Sequence, residues 1–362
     1  MVLTIHDLKN EFFNKKVFVS GHTGFKGAWL TAILHLLGAK VKGYALEPDH
    51  ENSFYNLIDG NSICNSVIAD VRDYKKLSQE INNFQPDYLF HMAAQPLVSI
   101  GYEDPRETYE VNVIGTFNIL DSLKNDDFPC SSVIITTDKV YKNIESNYYY
   151  NENDRLGGKD PYSSSKACAE LVVDAMVYSY FDLNNLSVHN KKIATVRSGN
   201  VIGGGDWAKN RLIPDFIKSV KSKSHISLRN PNSVRPWQHV LDPLTGYLIL
   251  AMNLNKFPNN FSQPFNFGPN KIDCISVEKV VDKCIEFWGD GNKKIEVSSN
   301  NFKESGLLML DIEKAKNLLG WKPLFNLEQS VKMTIEWYKE FENNPDSIKN
   351  YTLDKIKNTL NI

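Results

Sequence analysis

Cysteine is scarce and unpatterned: there are five (Cys64, Cys130, Cys168, Cys274, Cys284), an odd number with no CxxC pair. That argues against a disulfide framework or a structural zinc site and fits a reducing compartment. The eight histidines show no HxH or HExxH spacing, so no metal site is expected. Neither sign of charge dominates. A formal net charge of −2 gives no broad attraction to nucleic acid or to a membrane surface, and a short basic stretch such as residues 218–223 reads as a solvated helix face. Long apolar runs are missing too. The longest, residues 247–252, falls far short of the roughly 20 residues that span a bilayer. The first twenty residues mix charges with a brief apolar run, so no signal peptide is expected. These absences lead to the expectation of a cytoplasmic protein.

What is present is a chain of 362 residues, long enough for one large or two moderate domains. Its first half alternates short apolar runs with amphipathic stretches. Strands are expected at residues 16–20, 41–46, 67–69, 87–91, 132–136 and 193–197, with helical spacing over 25–37, 74–83, 105–124 and 162–180. Such alternation predicts an α/β fold with a doubly wound parallel sheet. After residue 198 the pattern loosens into loops rich in Gly, Asn, Pro and Arg, with helical segments recurring at 213–221, 243–253, 277–288 and 311–319. The expected division is a dinucleotide-binding domain over 1–197 and about 236–266, and a smaller substrate domain over about 198–235 and 267–345. Residues 346–362, rich in Asn and Lys, read as a C-terminal tail or a frayed helix.

Three stretches carry chemistry. "VFVSGHTGFKG" sets Gly21, Gly24 and Gly27 directly after a strand and at the opening of a helix. Glycines there permit a tight turn and close approach of backbone to a pyrophosphate, which the unpaired N–H groups of a helix N-terminus attract. "DPYSSSK" places Tyr162 and Lys166 four residues apart on a helix that Pro161 starts, so ammonium and phenol share one face. A phenol titrating near about 10 needs roughly three units of depression, about 4 kcal/mol, to serve as a base at neutral pH. "TTDKVY", residues 136–141, ends a buried strand with Thr137 and then sets Asp138 beside Lys139. The carboxyl end of a central strand is where open α/β sheets bind ligands, so an acid and an amine there are candidates for proton transfer rather than a surface ion pair.

Together with "FHMAAQPLV", "YEDPRETYEVNVIGT", "RSGNVIGGGDWAKNRLIPD", "RNPNSVRPWQHVLDPLTGYL" and "LGWKP", these stretches give a chain that resembles the extended short-chain dehydrogenase/reductases acting on nucleotide sugars. Within them it is most similar to the CDP-glucose 4,6-dehydratase branch. The resemblance covers nearly the whole chain. It implies a Rossmann-type fold, NAD as cofactor, a CDP-sugar as substrate and a homodimer or tetramer built on the 105–124 and 162–180 helices. It assigns NAD contacts to Gly21, Thr23, Gly24, Phe25, Lys26, Gly27, Glu47, Asp70, Val71, Ala93, Ala94, Tyr162 and Lys166. Glu47, twenty residues beyond Gly27, would take the adenosine ribose, and the absence of an Arg there favours NAD over NADP. Gln95, Asn200, Arg211 and Arg235 are assigned to the substrate.

The implied reaction begins when Tyr162, helped by Thr137 and Lys166, takes the C4 hydroxyl proton while NAD accepts the C4 hydride. Asp138 then donates a proton to the departing C6 hydroxyl, Lys139 acts at C5, and the hydride returns to C6. Such a product feeds deoxysugar and O-antigen or other surface-polysaccharide synthesis. The stretch departs from the family's usual TSDKCY by Thr for Ser and Val for Cys, which keeps the hydroxyl and changes packing. A larger departure lies in "KESGLLMLD", where the family more often has His and Tyr before the Leu-Asp pair. A nucleotide-sugar 4-epimerase is the alternative enzyme, since it needs only Tyr162, Lys166, Thr137 and NAD. A non-catalytic NAD-binding protein is the alternative from outside enzymes.

Overall fold

The computed structural model describes residues 2–124, 126–228, 230–295 and 306–362. Seven parallel strands form the main sheet: β1 (Lys16–Ser20), β2 (Lys40–Ala45), β3 (Asn65–Ile68), β4 (Tyr88–His91), β5 (Cys130–Ile135), β6 (Lys191–Ser198) and β7 (Phe265–Phe267). Their order is β7-β6-β5-β4-β1-β2-β3, so the chain reverses direction between β1 and β4 and opens a crevice at their carboxyl ends. The helices that cover the sheet are α1 (Phe25–Leu36), α2 (Tyr74–Phe84), α3 (Gly115–Lys124), α4 (Pro161–Tyr180) and, later in the chain, α6 (Leu241–Lys256), whereas α5 (Leu212–Lys221) packs away from it against the short strand His225–Leu228 and the helix Val277–Trp288.

The inner strands β1, β4, β5 and β6 are buried on both faces, which is why they read as apolar runs rather than as alternating ones, while the edge strand β3 has no buried residue. The pleat still sorts their side chains. Val17, Val19, Phe90, Val133 and Ile135 join one core cluster with α1 and α6. Phe18, Leu89 and Ile134 point into the other, against Leu77 and Ile81 of α2, Ile119 and Leu123 of α3 and Val173 of α4. Each fully buried side chain of this size contributes roughly 1.5–3 kcal/mol, so the strand ends that carry the candidate chemistry stand on a rigid base.

Two expectations are corrected. The single helix over residues 105–124 is a helix at Pro105–Tyr109, a π turn at Glu110–Ile114 and then α3. The widened turn carries buried Asn112, whose side-chain oxygen accepts from the Gln95 N–H (2.9 Å) and whose amide donates to the Gln95 carbonyl (3.1 Å). The final segment, expected to be a tail or a frayed helix, is a packed helix, Ile348–Leu360. Ile348, Thr352, Ile356 and Leu360 recur every four residues and are buried, and Thr352 accepts from the Trp337 indole N–H at 2.8 Å. Its Asn and Lys residues occupy the other faces, and their number masks that stripe. Of the departing stretch "KESGLLMLD", residues 303–305 lie outside the described residues.

Candidate active site

The cradle follows β1. Gly21 has φ +77°, and a Cβ there would lie 2.6 Å from the Ala93 nitrogen. A Cβ on Gly27 would lie 2.0 Å from the Gly21 carbonyl oxygen. Both glycines are therefore demanded by the turn and by its contact with α1. Gly24 differs: a Cβ would meet nothing nearer than that same oxygen at 3.4 Å, and the residue is exposed at the N-cap of α1, which has no side-chain cap. Its small size leaves room for something from outside the chain, at a helix end whose N–H groups await an acceptor.

Around this turn the expected cofactor residues are placed unevenly. Thr23 spends its hydroxyl on the Leu46 carbonyl (2.8 Å), tying the turn to the segment after β2. Glu47 is exposed, two residues beyond the last residue of β2. Asp70 is bound through both carboxylate oxygens by Arg72 (2.6–3.0 Å), which holds its carboxyl below the usual range. The Val71 carbonyl accepts from Asn118 at 3.0 Å. Ala93 and Ala94 follow β4 half-buried, with the Ala93 N–H donating to Ser20 Oγ at 3.3 Å. Gln95, expected at the substrate, has its side chain engaged within the chain: its amide nitrogen donates to Thr108 Oγ1 (2.8 Å) and its amide oxygen accepts from the Leu97 N–H (2.6 Å). The side chain shapes the loop, and Pro96–Ser99 line the cleft in its stead.

A cleft of about 330 Å³ opens at the carboxyl ends of β1, β5 and β6. Its wall brings together Lys26, Thr137, Asp138, Lys139, Tyr162, Asn200, Arg211 and Arg235, which are spread over more than two hundred positions of sequence. Thr137, two residues beyond β5, caps the short turn Asp138–Val140, accepting from the Lys139 N–H and donating to Asp138 Oδ1 at 3.0 Å. Asp138 is 1% exposed, and its Oδ2 has no hydrogen-bond partner among the described residues. A buried carboxylate oxygen left open is costly unless a donor arrives to meet it.

Tyr162 enters from α4, whose N-terminus is capped by Asp160 accepting from the Ser163 N–H at 2.9 Å. Burial pushes its phenol up to about 12, against the hydrogen bond with Thr137. Lys166 lies one turn on, donates to the Ile135 carbonyl at 3.2 Å, and is brought down to about 7 by burial and then by the Lys26 cation. Lys26 itself falls to about 8, chiefly through burial, and its ammonium lies 3.4 Å from Ser198 Oγ.

These lysines carry a stability consequence. Between about pH 7 and 10.5 the unfolded chain holds a proton on residue 166 that the folded chain has released, so stability rises with pH across that window. Lys166→Met is expected to raise the melting temperature of the ligand-free protein below pH 7, with the gain shrinking toward pH 10. A pH-independent difference in thermal scans would contradict this.

On the substrate side, Arg211 pairs with Asp206 (2.9 Å), and buried Arg235 donates to the Val234 carbonyl at 3.1 Å. Asn200 Oδ1 and Trp237 Nε1 are buried at the same wall without hydrogen-bond partners among the described residues. Ser198 and Asp206 were not singled out from the sequence. Both sit in motifs that were, "RSGN" and "GGGDWA", and only the fold shows that they reach Lys26 and Arg211.

The chain matches the GDP-mannose 4,6 dehydratase family over residues 18–334. It belongs to that family. Among curated proteins it is 45% identical, over 94% of this chain and 95% of the relative, to CDP-glucose 4,6-dehydratase of Salmonella typhimurium. It is 24% identical, over 91% of this chain and 97% of the relative, to a UDP-glucose 4-epimerase of Mycoplasma genitalium. Among solved structures, dTDP-glucose 4,6-dehydratase of Bacillus anthracis in complex with NAD superposes with a TM-score of 0.75, at 21% identity over 91% of this chain and 98% of that one. At that identity the structural likeness speaks for the fold, a Rossmann-type parallel sheet shared with the dehydratase family.

Proposed function

We propose that this member of the GDP-mannose 4,6 dehydratase family removes water from CDP-glucose to give the CDP-4-keto-6-deoxy sugar, with NAD as its resident cofactor. The observation that carries the reading is one cleft wall holding Thr137 and Tyr162 together with the Asp138–Lys139 pair, with Lys166 one helical turn from Tyr162 behind that wall. The 45% identity to a CDP-glucose dehydratase supports it. An epimerase uses the first group and leaves the second without a task.

The cradle fits a dinucleotide: Gly24 keeps open the space that a Cβ would fill, beside the uncapped N-terminus of α1. NAD bound there supplies the acceptor and later the donor of the sugar's C4 hydrogen, together with a positive charge beside the phenol. The residues of the chain do the rest. Tyr162, its phenol raised by burial, is not yet a base at neutral pH; added positive charge and Lys166 must bring it down by roughly five units, about 7 kcal/mol. It then takes the C4 hydroxyl proton. Oxidation at C4 acidifies C5, where Lys139 as the neutral amine removes a proton, and Asp138, carrying a proton on the carboxyl oxygen that the fold leaves open, gives it to the C6 hydroxyl, which departs as water. Arg211 and Arg235 hold the diphosphate, each as a charge-assisted donor. The second lobe, about residues 198–235 and 267–345, closes over the nucleotide. Incubation with CDP-glucose and mass analysis of the product tests the reading: loss of water from the sugar is expected, and an isomer of unchanged mass would overturn it.

The same reading extends to assembly and place. Ile114 and Phe117 next to α4's Leu171 and Tyr178 are 50%, 40%, 58% and 87% exposed, an apolar stripe on adjoining helices that fits a second copy of the chain. Leu171→Glu combined with Phe117→Glu is expected to convert a homodimer to monomer in sedimentation; an unchanged dimer would place the interface elsewhere. No helix among the described residues is long and apolar enough to cross a membrane, and the five cysteines are unpaired, which suits a cytoplasmic enzyme of deoxysugar and lipopolysaccharide synthesis.

A further inference from the structure

Both ends of the segment that carries Thr137, Asp138 and Lys139 are tied to one buried ion pair, Glu170–Arg197. Glu170 sits on α4, four residues after Lys166 and eight after Tyr162, and so shares their face of the helix. It is 1% exposed and bound in bidentate fashion by Arg197 of β6, with Nε at 2.9 Å from Oε1 and Nη2 at 3.0 Å from Oε2. Thr136, immediately before Thr137, donates its hydroxyl to Glu170 Oε1 at 2.5 Å. Tyr141, two residues after Lys139, accepts from Arg197 Nη1 at 3.0 Å through its hydroxyl, which in turn donates to Asn266 of β7 at 2.7 Å. Thr195 closes the carboxylate's remaining side at 2.9 Å.

We propose that Glu170 and Arg197 form a positioning clamp: the ion pair fixes the Asp138–Lys139 turn against the helix that carries Tyr162 and Lys166, so that oxidation at C4 and elimination across C5–C6 meet one bound sugar. The geometry matters because the two halves of the reaction sit on different elements, the end of β5 and the start of α4, with no covalent reason to keep register. A buried, fully hydrogen-bonded ion pair adds little net stability and is sensitive to geometry, which makes it better suited to setting a position than to holding the fold. Neither residue lines the cleft, so they position the turn through Thr136 and Tyr141, while the Glu170 charge separately favours the protonated form of Lys166. This inference rests on the dehydratase reading for its catalytic consequence.

Glu170→Gln endangers the fold by leaving Arg197 buried without its counter-charge, so the test uses the two ends of the clamp. Tyr141→Phe removes the hydroxyl that meets Arg197 and Asn266, Thr136→Val removes the hydroxyl that meets Glu170 and the Val196 carbonyl, and both keep the ion pair; Thr136→Ser keeps the hydroxyl. For the first two, KM for CDP-glucose is expected to stay near the wild-type value and kcat to fall about tenfold or more. The oxidised, still 6-hydroxylated sugar should accumulate in quenched reactions, and Thr136→Ser should restore turnover. Oxidation and elimination slowed equally would overturn the clamp. If the wild-type chain fails to dehydrate CDP-glucose, the functional reading falls by itself. The clamp is then judged by amide hydrogen exchange of residues 137–142 in the ligand-free protein: faster exchange in Tyr141→Phe and Thr136→Val but not in Thr136→Ser upholds it, and unchanged exchange overturns it.

Discussion

Tyr162→Phe is expected to lower kcat for CDP-glucose by roughly 10²–10⁴-fold, the range that loss of a positioned acid–base group covers, with KM changed little. The hydroxyl is the only atom removed, and the ring keeps its place at the buried start of α4. In the unliganded chain burial holds the phenol near about 12. The reaction therefore depends on charge brought beside it, and activity should fall as pH drops below the value to which that charge lowers the phenol. The variant should lose C4 oxidation itself: no oxidised sugar should form even in a single turnover. Full oxidation with a defect confined to water loss would take Tyr162 out of the redox half.

Asp138→Asn and Lys139→Met are expected to act at the other half, with comparable losses of product, roughly 10²–10⁴-fold, but with C4 oxidation intact. The two should differ in solvent deuterium uptake at C5. Asp138→Asn keeps the shape that accepts from Thr137 at 3.0 Å and leaves Lys139 in place, so C5 exchange should continue while water is retained. Lys139→Met leaves Asp138 able to donate but removes the amine, so exchange should stop. Exchange that survives Lys139→Met and disappears in Asp138→Asn would reverse the assignment.

The parts of this site that were legible in the sequence are those fixed by local rules. The glycine turn, the helix opened by Pro161 and the apolar strands each follow from conformational preferences over a few residues, and the fold sets them where the alternation predicted. Long-range closure was not legible. Gln95 reads as a polar residue at a strand end, yet its amide is taken up by Thr108 and Leu97, because the π turn around Asn112 pulls that loop inward. Thr23 is diverted in the same way by the Leu46 carbonyl. Glu170 could not be matched to Arg197 from spacing alone, since partners on different elements leave no periodic trace, and Asp206 meets Arg211, five residues on, through an irregular loop that has no period either. The packing of the final helix was not legible because its buried stripe is one residue in four amid Asn and Lys.

The most direct test of the central claim is the fate of the hydrogen on C4. The chain, incubated with CDP-glucose carrying deuterium at C4, should yield a CDP-4-keto-6-deoxy sugar with that deuterium in its C6 methyl group, because one cleft performs oxidation, elimination and return without releasing the sugar. A product epimerised at C4 and still hydroxylated at C6, or a deoxysugar whose methyl group carries none of the label, would contradict the account.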